Sequence, residues 1–328
     1  MQYELWRDLV ACLPKGRTLF YYGRDQFASK LLSYLIASGQ DLSALKRGRY
    51  KPLFDKPVLR EFFAGKGGLV ADQNELAHLC VPNITPWRLT VDRWGDMDVD
   101  WKWNQTSRKG YNLVLQLNFS NQHNAAFNRD VGACVNDLFH YRSHPVSKTS
   151  RTMAWARLDV DIETGEVMIE EIQTDYIRIF NRFANAPKIG SYHMKRLCDK
   201  HRKAYAKQGS LQSTLKTYRD KYLTDTKFWD EIMLAATIDF CVRELACKSL
   251  FMHQFESGAC LKHIDGRKPP RSLYTKLPRK FCFEATEQSP SFLEAGIMPK
   301  GGRRKNKLKA IGGASFWSLD LTGAQVSA

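Results

Sequence analysis

Long apolar runs and a secretory leader are missing from this sequence. Its longest apolar stretch, residues 31–37, is interrupted by Ser33 and Tyr34. It is much shorter than the ~20 residues that a helix needs to cross a bilayer. The first residues carry Glu4 and Arg7, so no secretory hydrophobic region is visible. These absences predict a cytoplasmic protein without a membrane segment.

Cysteine pairs at metal-binding spacing are also missing. The eight cysteines are scattered, and no two of them form a Cys-x-x-Cys motif, which argues against a disulfide scaffold or a zinc ribbon. His193, Cys198 and His201 lie close together, but their spacing matches no standard zinc pattern, so we expect no metal there. Glycine and proline number only 21 and 12, which excludes collagen-like and low-complexity classes.

Acidic residues are scarce relative to basic ones. There are 34 Asp and Glu against 50 Lys and Arg, for a net charge of +16, and the excess is concentrated in residues 176–224 and 262–309. This balance indicates an anionic partner such as nucleic acid, although a solvated basic surface gives the same composition. The side chains that we consider for phosphate or nucleic-acid binding are Arg142, Lys195, Arg196, Arg202, Lys203, Arg271 and Lys276.

The chain mixes helical and strand periodicities and therefore predicts an α/β protein with a mixed sheet. With 328 residues, 43% of them apolar, it can bury a sizeable core. We expect an N-terminal mixed helical region over residues 1–110 and a mixed-sheet core over 111–290 with a basic insert at 176–224. A basic, flexible tail is expected over 291–328. Strands are predicted at 112–119, 249–255 and 280–284.

The clearest local structure is a β-hairpin over residues 154–175. Two alternating runs are joined by a turn in which Gly165 supplies the positive φ that the turn requires. In the second arm, strict alternation separates two faces. One face carries Val167, Ile169, Glu171, Gln173 and Asp175, and the other carries Met168, Glu170, Ile172 and Thr174.

A polar row of Glu171, Gln173 and Asp175 lies where this arm leaves the sheet, with about 7 Å between successive members. A carboxylate at such a place can act as a general base, bind a cation, or face solvent on a half-exposed sheet. We take these three residues as candidate catalytic residues, with the solvent-facing reading as the alternative.

A polar loop with His140, Arg142 and His144 precedes the hairpin. Together with Asp159 or Asp175, this loop can form an anion-binding or catalytic cluster. The alternative is a polar loop whose histidines have structural partners.

The segment from Glu171 to Asp175, Glu-Ile-Gln-Thr-Asp, resembles the Glu-Ile-Gln-Ser-Asp strand of domains in large multidomain proteins of phages and mobile elements. The similarity covers about residues 155–286 and includes Leu273-Tyr274. This resemblance implies a bacterial phage or mobile-element context and no particular activity.

The order of elements from the hairpin onward resembles the GNAT acetyltransferase fold. In that family a strand with a catalytic Glu is followed by a helix, a strand and a helix ending in Leu-Tyr. The resemblance implies that Glu171 is the general base for an amine and that Tyr274 is the general acid for the leaving thiolate. It also implies acyl-CoA as cofactor, although the Gly-rich pyrophosphate loop of that family does not follow Asp175.

These observations favour a GNAT-like transferase that acts on an amine or on a nucleic-acid-bound group. One alternative is a non-catalytic nucleic-acid-binding or adaptor protein of a phage or defence locus. Another is a metal-dependent nuclease-type effector that uses Glu171 and Asp175. We expect Glu171 and Tyr274 to share a cleft if the first interpretation is right.

Overall fold

The fold is built on one eight-stranded mixed sheet. The computed structural model describes residues 1–14, 18–95, 104–139, 141, 143–185, 208–264, 266, 268–293 and 302–322. The strands are β1 Thr18–Tyr22, β2 Thr85–Trp94, β3 Asn112–Asn118, β4 Thr152–Asp161, β5 Glu166–Gln173, β6 Ser249–His253, β7 Glu284–Thr286 and β8 Phe316–Asp320. Their order across the sheet is β1-β2-β3-β4-β5-β6-β8-β7, so the sheet contains strands from all three regions expected from the sequence.

Helices connect these strands and cover the sheet. Those of the described ranges are α1 Tyr3–Cys12, α2 Phe27–Ala37, α3 Leu42–Arg47, α4 Lys51–Phe54, α5 Pro57–Gly65, α6 Gln73–Ala77, α7 Asn121–Phe127, α8 Tyr176–Asn185, α9 Gln208–Tyr222, α10 Trp229–Arg243, α11 Phe255–Leu261, α12 Lys276–Lys280 and α13 Gly302–Ala310. A π-helix follows α7 at Asn128–Gly132, and short 3₁₀ helices lie at Ala133–Phe139, Thr224–Phe228, Arg271–Tyr274 and Ser291–Leu293. None of the described helices is both long and apolar enough to cross a membrane.

The predicted hairpin is confirmed as β4 and β5, which pair antiparallel. Gly165 in its turn has φ 71°, a conformation that glycine adopts without strain. The Asp161 carboxylate accepts hydrogen bonds from the backbone N–H groups of Glu163 and Thr164, which stabilises the turn. The strand predicted at 112–119 is confirmed as β3, which pairs antiparallel with β4.

The direction of pairing changes at β5. Strands β1 to β5 pair antiparallel, whereas β6 runs parallel to β5 after the long helical connection through α8, α9 and α10. The parallel pairing covers only Glu166 to Ile169 of β5. The last residues of β5 therefore have β4 as neighbour on one side but no paired strand residue of β6 on the other.

Apolar side chains cover both faces of the sheet in this half of the molecule. Ile169 of β5 and Leu250 of β6 lie in the main core with residues of α2 and α10. The adjacent residues Met168 and Phe251 lie in a smaller core on the opposite face, together with Leu308 of α13. Because both faces are buried, a polar group on either face of β5 needs a partner inside the protein.

Two expectations for the C-terminal part differ from the structure. Residues 302–310, expected within a flexible tail, form α13, and β8 lies between β6 and β7. Phe316 of β8 packs in the smaller core and Trp317 in the main core, so this strand is apolar on both faces and suits the interior of a sheet. The predicted strand at 280–284 is wrong, because α12 occupies residues 276–280 and β7 begins at Glu284.

Candidate functional site

A β-bulge in β5 changes which side chains share a face. Arg157 of β4 pairs with Glu171, but the next residue, Leu158, pairs with Ile169. Glu170 is therefore an extra residue on β5, as in a β-bulge. The strict alternation predicted from the sequence is wrong here. Ile172 lies with Ile169 in the main core. Glu170 and Glu171 contact a set of polar side chains, and together with them they form what we call the inner cluster. Its other members are Ser107, Arg157, His253 and Lys262.

Glu170 is fully buried and bound by three groups. Its carboxylate accepts hydrogen bonds from the Ser107 backbone N–H at 2.9 Å and the Ser107 hydroxyl at 3.0 Å. His253 Nε2 lies 3.0 Å from Glu170 Oε2. Burial alone would raise the pKa of Glu170, but the hydrogen bond and charge of His253, together with Lys262 and Ser107, lower it from 4.5 to about 2. Glu170 is therefore an ionised, structurally bound carboxylate.

The Glu170, His253 and Ser107 group is not a Ser-His-acid triad. In such a triad the acid and the serine bind opposite ring nitrogens of the histidine. Here the Ser107 hydroxyl lies 2.8 Å from the same nitrogen, Nε2, that contacts Glu170. His253 Nδ1 is buried without a hydrogen-bond partner among the described residues. Burial also lowers the pKa of His253, so this group is built to hold β5 and β6 together.

Lys262 completes this buried cluster at the point where β5 and β6 stop pairing. Its Nζ donates a hydrogen bond of 2.6 Å to the backbone carbonyl of Glu170, the first residue of β5 past the parallel pairing. Burial lowers the pKa of Lys262. The ammonium thus takes the place of a backbone donor that β6 does not supply there.

Glu171 is paired with Arg157 on the neighbouring strand. Arg157 Nη2 donates to Glu171 Oε2 at 2.5 Å, and the Arg157 side chain is wholly buried whereas that of Glu171 is 11% exposed. The guanidinium also donates to the backbone carbonyls of Asn104 and Gln105. Glu171 Oε1 makes no hydrogen bond within the described part of the chain, so one oxygen of this carboxylate stays available as a proton acceptor.

Tyr274 is buried in the main core, and the cleft that the sequence predicts for it and Glu171 stays a prediction. Burial raises the pKa of the Tyr274 hydroxyl, and the negative charge of Glu171 adds to this effect. The hydroxyl is buried and has no hydrogen-bond partner among the described residues. Lys262 Nζ lies 5.6 Å from the centre of the Tyr274 ring. A phenol in this state keeps its proton and can donate it.

Gln173 and Asp175 belong to a second cluster, nearer the surface, which we call the outer cluster and which also contains His144 and Arg178. His144 Nδ1 lies 2.5 Å from Asp175 Oδ2. The other oxygen of Asp175 accepts hydrogen bonds of 2.8 Å from Gln173 Nε2 and from Arg178 Nη2. The structure therefore confirms the contact of His144 with Asp175 that the sequence left open. Asp159 instead binds Arg108 and the Met1 amino group.

The basic residues proposed for phosphate binding divide into two groups. Arg271 and Lys276 are exposed, and the Arg271 guanidinium lies over the ring of Phe255 at 5.4 Å. The remaining predicted residues lie outside the described ranges, namely Arg142, Lys195, Arg196, Arg202 and Lys203. His140 and the His193, Cys198 and His201 group also lie outside them.

The described carboxylates are not arranged for a shared cation. Glu171 binds Arg157, whereas Asp175 binds His144, Gln173 and Arg178. Within the ranges that the structure covers, no group of three or more His, Cys, Asp and Glu side chains is placed to hold a metal ion.

Sequence analysis did not select four members of the inner cluster: Ser107, Arg157, His253 and Lys262. Ser107 and His253 are separated by 146 residues, and no spacing rule joins such distant positions. Arg157 could have been selected from the sequence. It lies between apolar strand residues, and an arginine at such a position needs a paired partner when the sheet is buried.

Comparisons of the chain with protein-family models, with curated proteins and with solved structures found no match.

Proposed function

We propose that the protein is a GNAT-like group-transfer enzyme that acts on an amine or on a nucleic-acid-bound group. Glu171 Oε1 accepts the proton of the attacking nitrogen, and Tyr274 Oη donates a proton to the leaving group. The mixed sheet supports this proposal. Strands β1 to β5 form an antiparallel series, β5 then pairs in parallel with β6, and this parallel pairing ends just before Glu171.

The observation that carries the proposal is the unused hydrogen-bonding capacity of Glu171 and of Tyr274, whose hydroxyl lies within the electrostatic influence of that carboxylate. One carboxylate oxygen of Glu171 makes no hydrogen bond to a described residue, and the buried Tyr274 hydroxyl has no partner there. Buried polar atoms are nearly always paired in folded proteins. An unpaired phenol, together with a carboxylate that has a free oxygen, therefore supports a role in chemistry.

The start of α8 does not fit the pyrophosphate of a coenzyme A donor. This helix follows β5 directly, as the pyrophosphate-binding helix does in the GNAT family. However, the Thr174 hydroxyl already accepts a hydrogen bond from the Ile177 N–H, and the buried carboxylate of Asp175 adds a negative charge at that turn. A pyrophosphate would be repelled there. The donor in this proposal is therefore an activated acyl compound held without that contact.

Turnover of two acyl donors tests the proposal. Purified protein is incubated with a panel of amines and either acetyl-CoA or the acetyl thioester of N-acetylcysteamine, which lacks the pyrophosphate, and thiol release is measured. We expect release with both donors. Glu171→Gln should lower the rate by about 100-fold or more, whereas Glu166→Gln at the start of the same strand should leave it unchanged. Release that is equal in wild type and Glu171→Gln would contradict the proposal.

Tyr274→Phe separates chemistry from stability. Removing a buried hydroxyl that has no partner should leave the free energy of unfolding unchanged or raise it by about 1 kcal/mol. The same substitution should abolish amine-dependent thiol release. Tyr21→Phe on the exposed face of β1 is the control and should change neither quantity. A Tyr274→Phe protein with full activity would remove this residue from the mechanism.

A second function, nucleic-acid binding, is favoured by the composition of α13. The helix contains five basic residues and no acidic one, and Leu308 is its fully buried anchor. Lys305 and Lys309 are like charges four residues apart on this helix, which disfavours an isolated helix. A polyanion along this helix would relieve that repulsion.

Salt-dependent binding tests this second function. We expect the double variant Lys305→Gln and Lys309→Gln to bind RNA and DNA more weakly and to reduce the slope of log K against log salt by about 0.9 per lost phosphate contact on duplex DNA. A double variant at exposed Lys46 and Lys51 is the matched control. Binding that does not depend on salt would exclude this function.

A further inference from the structure

His144 is held in one orientation by its own turn and by Asp175. Its backbone N–H donates to the Tyr141 carbonyl at 3.0 Å, and its carbonyl accepts from the Val146 N–H at 2.9 Å. The imidazole packs edge-on against the rings of Trp94 and Trp155 at centroid distances of 6.3 and 5.7 Å. With Nδ1 directed at Asp175, the opposite nitrogen is fixed in direction as well.

Asp175 remains ionised in this arrangement. Its side chain is only 1% exposed, and burial alone would raise its pKa. The hydrogen bonds and charges of His144, Gln173 and Arg178 together lower the pKa instead. A buried carboxylate that accepts the Nδ1 proton leaves the lone pair of a neutral imidazole on Nε2 and stabilises the imidazolium formed when Nε2 takes up a proton.

Nε2 of His144 is the atom of this cluster that is open to a substrate. It makes no hydrogen bond to any residue of the described ranges, and a quarter of the side chain is exposed. His253, by contrast, is completely buried. The imidazole of His144 is therefore open to solvent in part, whereas that of His253 is not.

Two arginines of α8 extend positive charge from the outer cluster. The Arg178 guanidinium contacts Asp175 with one nitrogen, lies 5.5 Å from the centre of the Tyr141 ring, and is 52% exposed. Arg182, four residues further along, is exposed and has no ion pair with a described residue. Residues four apart lie on one face of a helix, so these guanidinium groups form a cationic edge suited to successive phosphates.

We propose that His144 and Asp175 are the general-base dyad of a ribonuclease activity. Nε2 of His144 takes the proton of a ribose 2′-hydroxyl, and the oxygen forms a bond to the adjacent phosphorus. The bond from phosphorus to the 5′-oxygen breaks, and that oxygen leaves with the electron pair and takes a proton from solvent. The products are a 2′,3′-cyclic phosphate and a 5′-hydroxyl, so the RNA itself supplies nucleophile and electrophile.

Arg178 and Arg182 bind the phosphates on either side of the reacting position in this proposal. RNA is favoured over a neutral ester because Arg178 shares the Asp175 carboxylate with His144, and because the chain carries an excess of 16 positive charges. This activity does not depend on the proposed acyl transfer and needs no acyl donor.

Cleavage of matched oligonucleotides tests the dyad. The full chain is incubated in EDTA with a labelled RNA, the DNA of the same sequence and the 2′-O-methyl RNA. We expect cleavage of the RNA alone, with a cyclic phosphate end, because the other two strands lack the 2′-hydroxyl. His144→Gln should lower the rate by about 100-fold or more, and His78→Gln, an exposed histidine on the surface, should not change it.

Two further variants distinguish catalysis from structure. Asp175→Asn should lower kcat by at least about tenfold, because it disturbs the tautomer of His144. It should raise KM less than Arg182→Gln does, although Asp175 also binds Arg178. Arg182→Gln should mainly raise KM. Melting temperatures of all variants identify any that fail to fold.

Three results would overturn the proposal. The first is a wild-type protein that cleaves no RNA, the second is cleavage of DNA or 2′-O-methyl RNA as fast as RNA, and the third is a folded His144→Gln protein that cleaves RNA at the wild-type rate.

Discussion

The two polar clusters along β5 lie a few residues apart but have opposite characters. In the inner cluster Glu170, Arg157 and His253 have fully buried side chains, and each is bound to partners on other elements. In the outer cluster the Asp175 carboxylate is buried, but His144 and Arg178 are partly exposed. The inner cluster thus links side chains of β4, β5 and β6 inside the protein, whereas the outer cluster places two of its polar groups at the surface.

The largest effect that we predict is on stability, from loss of the buried guanidinium. Arg157→Met removes the partner of Glu171 and the donors to two backbone carbonyls. The free energy of unfolding, measured in urea, should fall by about 3–5 kcal/mol. Arg7→Met, which breaks a solvent-exposed pair with Asp8, should have no measurable effect. An equally small effect of Arg157→Met would show that the inner cluster is not structural.

Acid should lower the free energy of unfolding, through the inner cluster, by nearly as much as Arg157→Met does. The folded pKa of Glu170 is about 2, below its unfolded value of 4.5, so its contribution is complete above pH 4.5 and is lost as the pH falls towards 2. This shift corresponds to about 3 kcal/mol at neutral pH. Urea unfolding at neutral pH and near the acid end of this window should show the loss in wild type, and a smaller loss in Glu170→Gln. Equal losses in both proteins would assign the acid sensitivity to other groups.

A substitution that crowds His253 should lower the free energy of unfolding by less than the two changes above, but by a measurable amount. A Cβ added at Gly258 of α11 would lie 2.4 Å from His253 Cβ and 2.8 Å from its Cγ, and these atoms cannot move without moving β6. Gly258→Ala should therefore lower stability by about 1–3 kcal/mol, although alanine is normally the better helix former. Gly68→Ala, where nothing lies within 4 Å of the added Cβ, is the matched control. A gain in stability from Gly258→Ala would show that α11 moves aside.

The smallest effect on stability should come from the outer cluster. His144→Gln leaves Asp175 bound by Gln173 and Arg178, so the free energy of unfolding should change by less than about 1 kcal/mol. His253→Gln, measured in the same way, should cost more because that side chain is wholly buried. If the two variants were equally destabilised, the difference between the clusters would not hold.

Patterns within the sequence were sufficient to predict several strands of the sheet. The hairpin was predictable because its turn chemistry and alternation agree, and β3 because Leu113, Leu115 and Leu117 alternate with less apolar residues. The strand predicted at residues 249–255 is confirmed over Ser249–His253, where Leu250, Phe251 and Met252 form a short apolar run.

The site was predictable only in part, because a bulge is a property of two paired strands. Nothing in the sequence of β5 alone shows that Glu170 lacks an opposite residue on β4. Glu171, Gln173 and Asp175 were selected as one row, yet the first binds Arg157 and the others gather around His144. The contacts of Ser107 and Lys262 with Glu170 depend on tertiary packing over long sequence separations.

The position of β8 also affects how the protein is made. Because β6 pairs with residues 316–320 and β7 with residues 316–318, a ribosome must synthesise the chain up to residue 320 before one edge of β6 can be closed. Until then the nascent protein exposes unpaired backbone along an apolar strand, a state that favours self-association. Expression of this protein should thus benefit from slower synthesis or from chaperones that bind exposed strands.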